Sequence, residues 1–409
     1  MLKKLGSKKG IVVMALVFLA FVFYCYLILD DHKSIRLRSG PKKTGRHGVP
    51  KIKLKLRNRG SADELTTEPA VLQYNGRENM IDQGQSITAN PRRQKDPIVI
   101  DVDIYGGDPP IPILLTADHE RIGGMITAIN SIRLNTKHVV HFYLLVDEES
   151  LDHVRTWIKS TDLKSITYKI KVFDASTIAS LIVMHGTRQD LESPLNFARF
   201  FVLDYFPELT SRFVYIDTDT IVQGDIWTLY NTPIQQGYYG AFSDDCSSVS
   251  KRFSMHLNYY ASYLNFNNPF VRNLRMNAKQ CSFDIGVFVA DAERWATHNV
   301  SAQVKYWLNM NKQEVVFGRS KGVGPVKPPA LIVFYKKITA LNPLWNVRNL
   351  GQTTGTLYSD SFVRSAKLIH WNGIYKPWKR LSQFQDIWDQ YYIQDPTDKF
   401  LVVRKAGNI

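Results

Sequence analysis

The sequence predicts an α/β domain built on a mainly parallel sheet, and three observations carry that expectation. Strand-like and helix-like patterns alternate from Ile111 to Ile216. Two acidic spots, Ala117-Asp118 and Asp217-Thr-Asp219, lie just past apolar strand patterns, where open α/β sheets bind their ligands. About 300 residues follow the N-terminal region, enough for one large domain or two smaller ones.

The elements follow in order. Residues 111–116 (Ile-Pro-Ile-Leu-Leu-Thr) are a short apolar run that reads as a buried strand. Gly123-Gly124 opens a helix with Ile126, Ile129 and Ile132 at helical spacing. A strand over 139–146, a helix over 151–158 and a strand over 166–173 come next. Residues 195–206 are expected as one helix and Arg212–Ile216 as a further strand. There are no internal repeats.

Charge separates this body from what precedes it. The 52 Lys and Arg outnumber the 37 Asp and Glu, for a formal charge of +15. Fifteen of those basic residues and only two acids, Asp30 and Asp31, fall in the first 60 positions. That segment therefore carries +13, and the rest of the chain only +2. A nearly neutral body argues against nucleic acid as a partner, since phosphate contacts need a basic face.

Residues 11–29 are an uncharged apolar run of bilayer-spanning length, ending without a small-x-small cleavage site. They are expected to be a transmembrane signal anchor, with 1–10 a cytoplasmic tail, 30–108 a largely disordered stem and 109–409 the folded domain. Lys and Arg flank both ends, so charge alone does not orient the span. The short leading segment and the sequon Asn299-Val-Ser301, usable only in the lumen, favour a lumenal domain. Cys25 lies in the apolar run. Cys246 and Cys281 are then an even pair, either bridged or two free core thiols, and an oxidising lumen favours the bridge.

Asp217-Thr-Asp219 is the most informative spot. Two carboxylates leaving a strand end can hold a hard divalent ion, which neutralises a diphosphate. A solvated acidic turn is the bland alternative, and Asp101-Val-Asp103 has the same spacing after Ile98-Val-Ile100. His370-Trp-Asn-Gly373-Ile-Tyr-Lys376-Pro-Trp378 offers an imidazole, a glycine and a lysine, which are parts for a metal and a phosphate. Trp371 and Trp378 fit the core equally well.

Asp217-Thr-Asp219 with Val222-Gln-Gly-Asp225, together with the motif at 370–378, resembles glycosyltransferase family 8. The likeness extends over about 111–400 and includes 195–200, 241–246, 281–288 and Trp345-Asn-Val-Arg348. It implies a GT-A fold and a retaining, Mn²⁺- or Mg²⁺-assisted transfer from a UDP-sugar. It implies Asp217, Asp219 and His370 as metal ligands. It implies Ala117 and Asp118 at the uridine, Gly373 and Lys376 at the diphosphate, and Thr218 as a further donor-binding residue. Arg199 would lie near donor sugar and phosphate, and Asp244 would line the sugar site. The family's Phe-Asn-x-Gly reads Phe283-Asp284-Ile-Gly286 here, and the counterpart of its downstream Asp-Gln pair is expected at Gln313-Glu314. Those departures leave a catalytically silent UDP- or glycan-binding protein as the other class. Expected partners are the UDP-sugar, a glycan or glycoprotein acceptor, the Golgi membrane through 11–29 and a second copy of the chain.

Overall fold

Parallel pairing of apolar strands organises the domain. The computed structural model describes residues 109–183, 193–246, 259–318, 324–355 and 358–404. The proposed tail, anchor, stem and Asp101-Val-Asp103 lie outside these. Among the described residues, no helix is long and apolar enough to cross a membrane.

β1 (Ile111–Ala117), β2 (Val140–Val146), β3 (Thr167–Val172) and β4 (Arg212–Ile216) are mutually parallel and stand in the order β3-β2-β1-β4. The sheet continues through β7 (Phe283–Asp291), antiparallel to both neighbours, to β6 (Gly240–Asp244) and β8 (Ile338–Ala340). Because β1 is flanked by β2 and by β4, the winding reverses between β1 and β4. That switch point opens a crevice at the carboxyl ends of these two strands.

Successive strand residues point to opposite faces, so each face buries its own layer. Ile113, Leu115, Val214 and Ile216 pack with α1 (Ile122–Asn135) and α2 (Leu151–Lys159). Leu114, Leu145, Phe213 and Tyr215 pack with α3 (Val300–Gln313) and α4 (Lys327–Val333). Gly123 and Gly124 lie in the first turn of α1 because neighbours approach too closely for a side chain. A Cβ on Gly124 would stand 2.6 Å from the Thr218 carbonyl, and one on Gly123 would meet the Phe400 ring.

The expected single helix over 195–206 is instead a 3₁₀ segment, Pro194–Phe200, followed by one short turn, Val202–Tyr205. The reason is burial on all sides. Leu195, Phe197, Ala198, Arg199 and Phe200 are all buried, so no single apolar stripe favours the 3.6-residue period. A separate two-stranded sheet pairs β5 (Thr220–Val222) antiparallel with β9 (Leu368–His370).

Cys246 and Cys281 form a disulfide with a Cα–Cα separation of 5.8 Å, tying the end of β6 to the residues that precede β7. Asn299 is the exposed N-cap of α3, in the left-handed region at φ 46°. Its Oδ1 accepts from the Ala302 N–H at 3.1 Å.

The disulfide closes a loop of 35 residues. By loop entropy, replacing both cysteines with alanine should lower unfolding free energy by about 4 kcal/mol. Urea unfolding checks this, and equal midpoints for the two proteins would disprove it.

Candidate functional site

The crevice between β1 and β4 collects its chemistry from four stretches of chain. β4 ends at Ile216, and the following residues turn into β5. Thr220 pairs with His370 across the β5–β9 ladder, which sets the imidazole beside Asp219. His370 Nε2 lies 3.1 Å from Asp219 Oδ1 and 3.9 Å from Asp217 Oδ2. One ligand atom from each of the three lies within 4.8 Å of the others. Lys376 donates its ammonium to Asp219 Oδ2.

Asp217 and His370 are each fixed from behind. Asp217 Oδ1 accepts from the Tyr215 hydroxyl at 2.7 Å and faces an Arg199 guanidinium nitrogen at 3.0 Å. Arg199 is 6% exposed. It donates to the carbonyls of Asn196 and Ile285, and its guanidinium lies over the Tyr215 ring at 4.4 Å. It is thus placed to hold Asp217 rather than to reach outward. His370 Nδ1 stands 3.0 Å from Asn346 Oδ1. Asn346 in turn donates its Nδ2 to Asp284 Oδ1 at 2.9 Å.

Charge is balanced through this buried zone. Burial pushes the Asp219 carboxyl up, but Lys376 and His370 outweigh it and hold it well below its ordinary 3.8. For His370, burial acts downward and Asp219 overcomes it, leaving the imidazole above its ordinary 6.5. Asp284 and Asp245 are held low by Arg348 and Lys327 against the same burial cost. Lys327 donates to Asp245 Oδ2 at 2.7 Å and to the Tyr263 hydroxyl at 3.0 Å. Arg348 pairs with Asp245 and lies 3.4 Å from Asp284.

The donor set suits a hard divalent ion, with two carboxylates and one imidazole. Backbone shape agrees with this. A Cβ on Gly286 would stand 2.5 Å from Asp217 Oδ2 and 2.6 Å from His370 Cε1, so glycine keeps the space beside those side chains clear. Gly373 has φ 133°, and a Cβ there would stand 2.2 Å from the Gly351 carbonyl. Its glycine is therefore demanded by its own backbone neighbour.

Asp118 follows β1, one strand from Asp217. Its Oδ2 accepts from Arg121 at 2.5 Å, whereas its buried Oδ1 has no hydrogen-bond partner. Burial raises the Asp118 carboxyl above its ordinary value, with Arg121 opposing. Ala117 and Thr218 are buried, and Thr218 turns its carbonyl toward Gly124.

Two expected site residues stand apart from the buried ion pairs. Gln313 is the exposed last residue of α3, and no described contact joins it to the carboxylates of the site. The residue that reaches them from that part of the chain is Lys327, at the start of α4. Asp244 turns its Oδ1 to the Cys246 N–H at 2.6 Å, and its neighbour Asp245 carries the ion pairs with Lys327 and Arg348. Tyr215, Asp245, Lys327, Asn346 and Arg348 were given no role by sequence reasoning. The signals were the family likeness over 241–246 and 345–348, which assigned them no role, and the polar Asn346 and Arg348 set among apolar Trp345 and Val347. Trp371 and Trp378 are core residues.

Comparison with known proteins identifies the family and the fold. The pattern defining glycosyl transferase family 8 matches residues 112–382. Glycosyltransferase 8 domain-containing protein 1 of Mus musculus is 41% identical over 299 residues, covering 72% of this chain and 80% of the relative. The protein of that name from Danio rerio is 44% identical over 300 residues, covering 72% and 81%. Among solved structures, the galactosyltransferase LgtC in complex with donor and acceptor sugar analogues superposes with a TM-score of 0.51. It shares 14% identity, and the match covers 69% of this chain and 95% of LgtC. That likeness establishes a GT-A-like fold.

Gly286→Ala should weaken Mn²⁺ binding by about 10-fold or more through displaced ligands. Titration calorimetry on the variant reads this, and unchanged affinity would refute the cradle. Asp219, Asp245 and Asp284 are all depressed below 3.8, so their contribution to stability is complete above that pH and is lost below it. The urea midpoint should fall as the pH drops below 3.8. The fall should be shallower in Lys327→Met, which removes one of the partners that hold Asp245 low.

Proposed function

This chain belongs to glycosyltransferase family 8, and we propose that it moves a hexose or pentose from a UDP-sugar to a glycan or glycoprotein acceptor with retention of configuration. The observation that carries the reading is the convergence of Asp217, Asp219, His370 and Lys376 at the end of β4, with an unpartnered buried carboxylate oxygen on Asp118 at the end of the adjacent strand.

The residues divide the work. Asp118 Oδ1 accepts from the uracil N–H. Asp217, Asp219 and His370 would hold Mn²⁺ or Mg²⁺, which when bound supplies positive charge for the leaving diphosphate. Lys376 brings its ammonium to the same phosphates. Arg199 and Tyr215 keep Asp217 in position.

The acceptor hydroxyl attacks the anomeric carbon from the face that UDP leaves. The new C–O bond forms as the sugar–diphosphate bond breaks, and the hydroxyl proton passes to the departing phosphate oxygen. A covalent route would need a free carboxylate beneath the anomeric carbon. Asp245 and Asp284 are engaged by Lys327 and Arg348, which supports the direct route.

The setting we infer is the Golgi lumen, with residues 11–29 as a type II anchor. The Cys246–Cys281 disulfide and the exposed sequon at Asn299 support an oxidising, glycosylating compartment. A silent UDP-binding protein is the second reading, favoured by the exposed position of Gln313.

Screening UDP-sugars for Mn²⁺-dependent UDP release tests the proposal, and Asp219→Asn should lower turnover at least about 100-fold. UDP binding without release by the wild type selects the silent reading. Failure to bind either UDP or Mn²⁺ would end both.

A further inference from the structure

Behind His370 lies a chain of hydrogen bonds that the transfer chemistry does not use. Asp284 Oδ1 accepts from Asn346 Nδ2 at 2.9 Å and from the Gly286 N–H at 2.9 Å. Its Oδ2 faces Arg348 at 3.4 Å. A carboxylate placed against a guanidinium is ionised and offers acceptors only. Asn346 must therefore present its NH₂ to Asp284, which turns its carbonyl oxygen toward His370. That oxygen lies 3.0 Å from Nδ1, and a carbonyl can only accept. Nδ1 must then carry a hydrogen. Asn346 is 1% exposed and His370 2%, so water does not substitute easily for either partner.

We propose that Asn346, oriented by Asp284, is a positioning residue that fixes His370 as the Nδ1–H tautomer, so that Nε2 turns its lone pair toward a divalent cation between Asp217 and Asp219. This rests on the metal reading given above and adds the device that prepares the ligand. Without it, a neutral His370 gains more by placing its hydrogen on Nε2, because Asp219 Oδ1 waits 3.1 Å away as an acceptor. That tautomer is blocked as a ligand. The acidic partner lies two bonds removed from the imidazole, with the amide between them acting as a polarity converter. Asp284 thereby acquires a role of its own.

The test uses the full-length chain with nitrogen-15-labelled histidine. His370 is assigned from the signals missing in His370→Ala. In metal-free protein at alkaline pH, with the ring neutral, wild-type His370 should show the Nδ1–H pattern. Asn346→Leu, which keeps the volume and removes the acceptor, should shift the signals toward Nε2–H and weaken Mn²⁺ binding about 10- to 100-fold. Asp284→Asn keeps an acceptor for the Asn346 amide but not its charge, so it should retain the Nδ1–H form in part and lose less affinity than Asn346→Leu. Thermal unfolding of each variant confirms that it is folded. An Nε2–H pattern in the wild type would overturn the inference. So would an Asn346→Leu protein with wild-type tautomer and affinity. A wild type that shows the Nδ1–H pattern but binds no Mn²⁺ would support the tautomer assignment and refute the metal reading instead.

Discussion

The site depends on one short ladder, β5 with β9. Three residue pairs bring the stretch after β4 against a stretch almost 150 positions later in the chain. Their register puts His370 opposite Thr220, directly beside Asp219. A slip of one residue would turn the imidazole to the other face and replace it with Ile369 or Trp371, both of which belong in the core. The Trp371 N–H donates to the Asp219 carbonyl, and the His370 N–H donates to the Val347 carbonyl. The first bond extends the ladder and the second holds β9 from its other edge, so the backbone on both sides aims the side chains. The ladder in turn rests on α1, whose Gly124 lets the Thr218 carbonyl come close, and on Trp378, which packs against that contact.

Burying so many charges is costly unless each is matched. Asp219 is answered by Lys376 and His370, Asp217 by Arg199, and Asp245 and Asp284 by Lys327 and Arg348. Removing one partner of a buried pair leaves an uncompensated charge, typically at a cost of about 3–5 kcal/mol. The network is thus rigid for the reason that it is risky. It gives no strong argument for stability, but it allows few alternative arrangements of the ligands. The Cys246–Cys281 disulfide adds to this, because it joins the residues just after Asp245 and just before Asp284. Ser282 donates to Asp245 from the same segment.

The parts of the site differ in how far they were legible. Asp217 and Asp219 could be read because a strand of apolar residues runs straight into them and the family resemblance rests on the same motif. His370 and Lys376 could be read only as a suggestive cluster. Arg199 was legible as a site residue, but its direction was not: burial on all sides of 194–200 turned it inward to Asp217 and broke the expected helix. Gln313 was read from the family resemblance alone, and the fold places it as the exposed last residue of α3. Asp245 was not legible because its partners Lys327 and Arg348 lie 82 and 103 positions further along the chain.

By itself, the sequence determined the α/β layering, since alternation between two periodicities is a local property that each segment carries alone. It also determined the near-neutral body and the acidic strand end that a diphosphate chemistry needs. Tertiary structure alone decided which distant groups meet. Asp219 and Lys376 are 157 positions apart, Asp245 and Arg348 are 103, and Asp284 and Asn346 are 62. Such pairings depend on strand order, register and the exclusion of water from a shared crevice. None of these leaves a trace in the spacing of residues along the chain, because the energy that fixes them arises only once the segments are packed together.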